Sequence, residues 1–151
     1  FWSAITDAYS KKDFNWIKRV IKQLKRYIFG SIFIVILMYL ISDWFYSIWI
    51  GESIRVDNML SLFMGIYVVI FCYLLIFAHF LNGVGKLRIQ IIVNSIASII
   101  NIPLSYFFAS TSMGISGIIF ATICSLTFVC IFTVIQSNKI INNTAIGIWN
   151  K

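Results

Sequence analysis

MLSLFMGIYVVIFCYLLIFAHFL, residues 59–81, contains no Asp, Glu, Lys or Arg and no proline. As an α-helix it would be about 34 Å long at about 1.5 Å per residue, and a bilayer core is about 30 Å thick. Its many β-branched and aromatic residues favour strands on propensity alone. A strand buried in lipid would leave backbone groups unpaired unless a barrel closed on itself, and a run this long shows no polar alternation. The stretch therefore reads as a membrane-spanning helix.

Three further stretches follow the same logic. The expected spans are 27–50, 59–81, 90–108 and 113–135, the first running from Tyr27 to Ile41 and on through an aromatic patch to Ile50. The expected organisation is a connecting basic segment at 1–26, four transmembrane helices over 27–135, and a tail at 136–151. The fold class is all-α integral membrane.

Composition agrees. Of 151 residues, 60% are hydrophobic, 17% aromatic and 11% charged, with mean hydropathy +0.92. A soluble domain carries about 25% charged residues, so a soluble globular enzyme is excluded. Disorder is excluded too, since it needs low hydrophobicity and high charge. Cys72, Cys124 and Cys130 lie in apolar runs without a CxxC pair, and read as small hydrophobes. The chain opens on Phe1 with neither a charged n-region nor a small-residue cleavage site, so it reads as the later part of a longer chain rather than a signal peptide.

The net charge of +7 would fit nucleic acid until the charges are located. Seven of twelve Lys/Arg fall between Lys11 and Arg26, Lys86 and Arg88 sit in the second loop, and Lys139 and Lys151 in the tail. Eleven basic residues thus lie on one side of the four spans, and Arg55, beside Asp43, Glu52 and Asp57, on the other. The positive-inside rule then puts both ends in the cytoplasm. Trp44, Tyr46 and Trp49 mark the outer interface as an aromatic belt.

Before the first span, Phe14, Ile17, Ile21, Leu24 and Ile28 recur at helical spacing, with Lys18, Arg19, Lys22, Lys25 and Arg26 around them and Asp13 as N-cap. This predicts an amphipathic cationic helix in the headgroup layer. It either anchors the topology or attracts an anionic lipid-linked substrate, each cation near an anionic surface contributing about 1 kcal/mol. No fold-level motif accompanies it for nucleic acid.

Polar residues inside spans are where function is sought. Gln90, Asn94, Ser98, Asn101 and Ser105 follow spacings of 4, 4, 3 and 4, one stripe of the third span. They serve either as interhelical hydrogen-bonding glue or as the lining of a hydrophilic pathway. Pro103 removes a backbone hydrogen bond and predicts a kink. Gly117, Ala121 and Ser125 form a small-residue ridge for close packing in the fourth span. His79, the single histidine, is a candidate proton carrier because imidazole titrates near neutral pH. Its other reading is a hydrogen-bonded interfacial residue, with Asn82 and Lys86 on the same face if the helix continues past Asn82-Gly83. No paired carboxylate, metal-ligand cluster, Walker motif or triad is present in the sequence, so no enzyme, cofactor or metal site is expected.

The opening Trp2-Ser-Ala-Ile-Thr-Asp-Ala-Tyr9, a short helix over Lys11–Lys18, the Ile48-Trp-Ile-Gly51 exit, the Leu81-Asn-Gly-Val-Gly-Lys86 loop and Asn101-Ile-Pro-Leu-Ser105 together resemble Wzx-like flippases of O-antigen and capsule repeat units, relatives of the multidrug and toxin extrusion fold. The resemblance covers essentially the whole chain, in order. It implies spans nine to twelve of a twelve-helix, two-bundle transporter in the bacterial inner membrane. It implies alternating-access flipping of an undecaprenyl-pyrophosphate-linked oligosaccharide to the periplasmic leaflet, with ion antiport as a driving force. Its implied partners are that lipid-linked oligosaccharide, membrane lipids and the preceding helices of the same transporter. One departure stands: such flippases resemble one another in carrying cavity charges, and no span here has Lys or Arg in its middle.

Other classes remain. A multidrug antiporter of the same fold differs only in motif resemblance. A self-contained four-helix exporter would need a mid-span carboxylate, and Glu52 falls in a loop. An enzyme acting on lipid-linked sugars would have only Asp43, Glu52, Arg55 and Asp57 outside the membrane.

Overall fold

A computed structural model describes residues 2–49, 51 and 56–150. Glu52 and Arg55 of the first loop, and Ile50 at the end of the first expected span, lie outside the described residues. The elements are α1 (Trp2–Ser10), α2 (Phe14–Leu40), α3 (Ser42–Trp49), α4 (Asn58–Val84), α5 (Arg88–Ala109) and α6 (Ile115–Ile141), then a 3-10 turn at Gly147–Asn150. The fold is all-helical among these residues. α4, α5 and α6 are each long and apolar enough to cross a membrane, and α2 with α3, bent by 56°, makes a fourth candidate if the pair crosses as one span.

The basic segment differs from expectation. Residues 11–18 are not a short helix: Lys11 to Asp13 form a turn, with Lys12 at φ 58°, and helix resumes at Phe14. Asp13 caps α2 as expected, its carboxylate accepting the Trp16 N–H at 2.9 Å. From there α2 runs without a break into the first span, so the amphipathic helix and the span are one rod. Its apolar face meets protein rather than headgroups. Ile17 and Ile21 are buried with Ile5 and Ala8 of α1, Phe77, Phe80 and Leu81 of α4, and Ile140 and Ile141 of α6. The reason is α1, which the apolar periodicity of 14–28 does not reveal and which lies over that face.

α1 docks through a close approach at Gly83. A Cβ there would lie 2.8 Å from Ile5 Cγ2, and the Thr6 hydroxyl donates to the Gly83 carbonyl at 2.8 Å. Helix α4 therefore continues through Asn82-Gly83 and stops only at Gly85, whose φ of 74° is left-handed. Lys86 N–H to Leu81 O and Gly85 N–H to Asn82 O close the end as a Schellman motif. Replacing Gly83 by valine will lift α1 from α4. Trypsin should then cut at Lys11 and Lys12 several-fold faster than in the parent chain, and an unchanged rate would mean that α1 is not held here.

The first span is not straight. α3 leaves α2 at 56°, and the Ser42 hydroxyl donates back to the Tyr39 carbonyl at 2.7 Å, competing with the helix ladder at the break. Tyr27 to Leu40 supplies only about 21 Å of rise, short of the hydrocarbon thickness, so a full crossing there needs α3 as well. Trp44 and Trp49 are exposed on it.

The fourth span was expected to end at Ile135, yet α6 continues to Ile141. Gln136-Ser137-Asn138-Lys139 reads as a departure from the membrane, but Gln136 and Ser137 are fully buried where α6 meets the α4–α5 connection. Gln136 Nε2 donates to the Lys86 carbonyl at 3.1 Å. The tail folds back over this end: Lys139 Nζ stands 4.2 Å over the Trp149 ring, and Lys86 Nζ bonds Asn150 Oδ1. α5 runs unbroken through Pro103.

A second core cluster, Leu74, Ile89, Val93, Ala97, Val129 and Cys130, joins α4, α5 and α6. Both cores lie toward the basic end. The far half of α2 is bare: Phe29 and Phe33 are 76% and 71% exposed. Apolar area of that kind requires lipid or further protein.

Candidate substrate pathway between two helices

The α5–α6 interface is set by the small-residue ridge. Gly117 is buried at the start of α6, and a Cβ there would stand 2.4 Å from the Phe108 carbonyl oxygen. Ala121, one turn on, is fully buried. This lets the two helices touch backbone to backbone at the end away from the basic segment. Asp57 ties α4 to the same corner, one oxygen accepting the Met59 N–H at 3.1 Å and the other the Ser116 hydroxyl at 2.9 Å.

Farther along the pair, polar side chains line an open groove of about 310 Å³. α5 provides Asn94, Ser98 and Asn101, and α6 provides Thr122 and Ser125, over a floor of Ala97, Leu126 and Val129. Asn101 Nδ2 donates to Ser125 Oγ at 3.1 Å, and Ser105 Oγ donates to Asn101 Oδ1 at 3.4 Å. The Thr122 hydroxyl donates to its own Ile118 carbonyl at 3.0 Å, leaving its lone pairs on the groove. Asn94 and Ser98 are exposed, and among the described residues neither side chain has a hydrogen-bond partner.

That asymmetry separates the two readings of the stripe. Asn101 acts as glue, bonding Ser125 across the helix pair, and Ser105 supports it from within α5. Asn94 and Ser98 do not, and in hydrocarbon each unmade bond would cost several kcal/mol. They require water, a polar ligand or another helix. Gln90 stands apart from the groove: it lies in the first turn of α5 with its Oε1 buried and, among the described residues, without a partner. Thr122 was missed in the sequence, because Thr122, Ser125, Thr127 and Thr133 of α6 follow spacings of 3, 2 and 6 and so mark no single face. Ser125 was read only as part of the packing ridge, and it is also the acceptor for Asn101.

The other candidate residues are dispersed. Lys18, Arg19, Lys22 and Arg26 are exposed along α2, whereas Lys25 is half-buried with Nζ 5.0 Å above the Phe77 ring and 5.9 Å above that of Tyr73. His79 is exposed near the end of α4 and has no hydrogen bond among the described residues. Lys86 is drawn away from it, toward Asn150 and the face of Tyr9 at 5.9 Å. The face that would join His79 to Asn82 and Lys86 is not assembled. Cys72, Cys124 and Cys130 are free thiols, half-buried or buried in the bundle.

No curated protein and no solved structure matches the chain at a significant level. A family model does match, over residues 3–107, from α1 through almost all of α5. That is more than two thirds of the chain, and it spans both the bent α2–α3 pair and the stripe-bearing helix. The chain is a multi-pass membrane protein of the MatE family, whose members are transporters and not enzymes.

Proposed function

We propose that this chain is the last third of a Wzx-like flippase, moving undecaprenyl-pyrophosphate-linked oligosaccharide between leaflets by alternating access. The observation that carries this reading is the chemistry of the α5–α6 groove. It offers amides and hydroxyls from Asn94, Ser98, Asn101, Thr122 and Ser125 and no charge. Such groups suit the hydroxyls of a sugar chain, which need many modest hydrogen bonds rather than one strong ion pair. A cationic drug would call for a carboxylate, and the acidic residues described are confined to helix ends and loops at Asp7, Asp13, Asp43 and Asp57.

Both ends of the chain are cytoplasmic in this reading, in the bacterial inner membrane, with α2, α4, α5 and α6 as the closing helices of the second bundle. The preceding helices supply the pyrophosphate-binding cations, and rocking of one bundle against the other exposes the groove to each leaflet in turn. Lys18, Arg19, Lys22 and Arg26 draw the anionic headgroup to the starting side.

The antiporter alternative is tested in the same vesicles. The complete transporter is reconstituted with a fluorescent undecaprenyl-pyrophosphate oligosaccharide, or with a cationic dye under a proton or sodium gradient. Translocation of the glycolipid without gradient-driven dye export is the expected result. Dye export without glycolipid movement would replace the flippase reading with the multidrug one.

His79 is the proposed proton carrier if flipping is proton-coupled. His79→Ala should then flatten the pH dependence of transport, while leaving uptake at the optimum within about threefold. A profile that keeps its shape would exclude His79 from coupling.

A further inference from the structure

A second groove lies on the opposite side of α6, between α2, α4 and α6, with a cavity volume of about 480 Å³. Its walls include Phe29 and Ile32 of α2, Ile70 of α4, and Ile131 and Val134 of α6, and among the described residues Lys25 is the only charged one lining it. Thr127, at the far end, spends its hydroxyl on the Ile123 carbonyl at 2.7 Å. From Lys25 to Ile32 the groove follows α2 for about 10 Å, and from Ile135 back to Thr127 it follows α6 for about 12 Å. It is an apolar slot leading from one cation toward the middle of the membrane.

The cation is placed, not merely nearby. Lys25 Nζ is held over the faces of Phe77 and Tyr73, and such contacts fix an ammonium that would otherwise swing into water. Exposed Lys22 and Arg26 flank it, and α2 contains no acidic residue to oppose them. A phosphate with a long alkyl chain matches both halves: charge at the mouth and methylenes along the slot.

We propose that this groove binds one anionic glycerophospholipid from the leaflet at the basic end, with its phosphate on Lys25, Lys22 and Arg26 and one acyl chain between α2, α4 and α6. The lipid closes the gap that the bare half of α2 leaves open, and so acts as a structural filler between α2 and the α4–α6 pair. This holds whichever substrate the polar α5–α6 groove carries.

The test is native mass spectrometry of the full chain, delipidated in mild detergent and titrated with phosphatidylglycerol or with phosphatidylcholine of identical acyl chains. A single phosphatidylglycerol should bind about fivefold more tightly than phosphatidylcholine, the preference one interfacial cation supplies. Lys25→Gln should lower that preference, the same change made together with Lys22→Gln and Arg26→Gln should abolish it, and Lys25→Arg should retain it. A phosphatidylglycerol bearing a photoactivatable acyl chain should cross-link the unaltered chain at Ile32 and Ile131. The proposal is overturned if Lys25→Gln keeps the preference in full or if cross-links map to α3 or α5. It is equally overturned if, in native membranes, the slot cross-links to protein or to an isoprenoid chain instead.

Discussion

Gly117→Val will be the most damaging single substitution in the helix pair that carries the polar groove. Its Cβ would fall 2.4 Å from the oxygen and 2.6 Å from the carbon of the Phe108 carbonyl. Those are backbone atoms, which cannot rotate aside like the end of a side chain. α5 and α6 must separate at the end that holds Gly117, and the Phe108–Phe120 edge contact, now at 4.9 Å between centroids, is lost with them. Overpacking of this kind costs about 1–3 kcal/mol, so thermal unfolding in mild detergent should shift down by several degrees. Gly30→Ala is the matched control, because nothing lies within 4 Å of the Cβ it would add to α2. That change should be neutral or slightly stabilising, since alanine is the better helix former by up to about 1 kcal/mol. Equal losses in both variants would mean that the close approach at Gly117 carries no special weight.

The second large effect falls on transport. Asn94→Leu removes an amide that has no partner within the fold, so stability should stay within about 0.5 kcal/mol of the parent. Transport of the lipid-linked oligosaccharide should nonetheless fall about tenfold, the equivalent of one lost polar contact in a closed site. Asn101→Leu should lower both quantities, because it also breaks the bonds to Ser125 and Ser105. Thermal unfolding and glycolipid flipping, measured side by side on the complete transporter, separate the two roles. Full transport by Asn94→Leu would reduce the stripe to helix glue.

The parts of the fold legible in the sequence are those governed by local rules. Residues 59–81 could not be anything but a span, because their length and lack of charge leave one solution in lipid. Asp13 followed by Phe14, Ile17 and Ile21 marks a capped helix by spacing alone. Gln90 through Ser105 shows its stripe because five polar residues repeat at one period. What was illegible depends on contacts distant in the chain. Residues 136–141 look like a polar exit, and only the α4–α5 connection packed against Gln136 and Ser137 turns them into helix. Gly83 reads as a turn residue until Ile5 is laid upon it. The bend at Ile41 has no proline or glycine beside it to announce it. Half of the polar groove was visible in α5, while Thr122 became part of it only when α6 was placed alongside. The orphaned amide of Asn94 could not be told from the bonded one of Asn101 without the partner helix.

The claim that matters most is that the α5–α6 groove is a wet path rather than a lipid-facing seam. Ser98 stands in it, and Ile99 beside it is exposed on the apolar face. With Cys72, Cys124 and Cys130 replaced by alanine, Ser98→Cys and Ile99→Cys are each exposed in native membranes to a membrane-impermeant maleimide. The account predicts labelling at position 98, none at position 99, and protection of position 98 by lipid-linked oligosaccharide. An inert thiol at 98, or equal labelling at both positions, would contradict it.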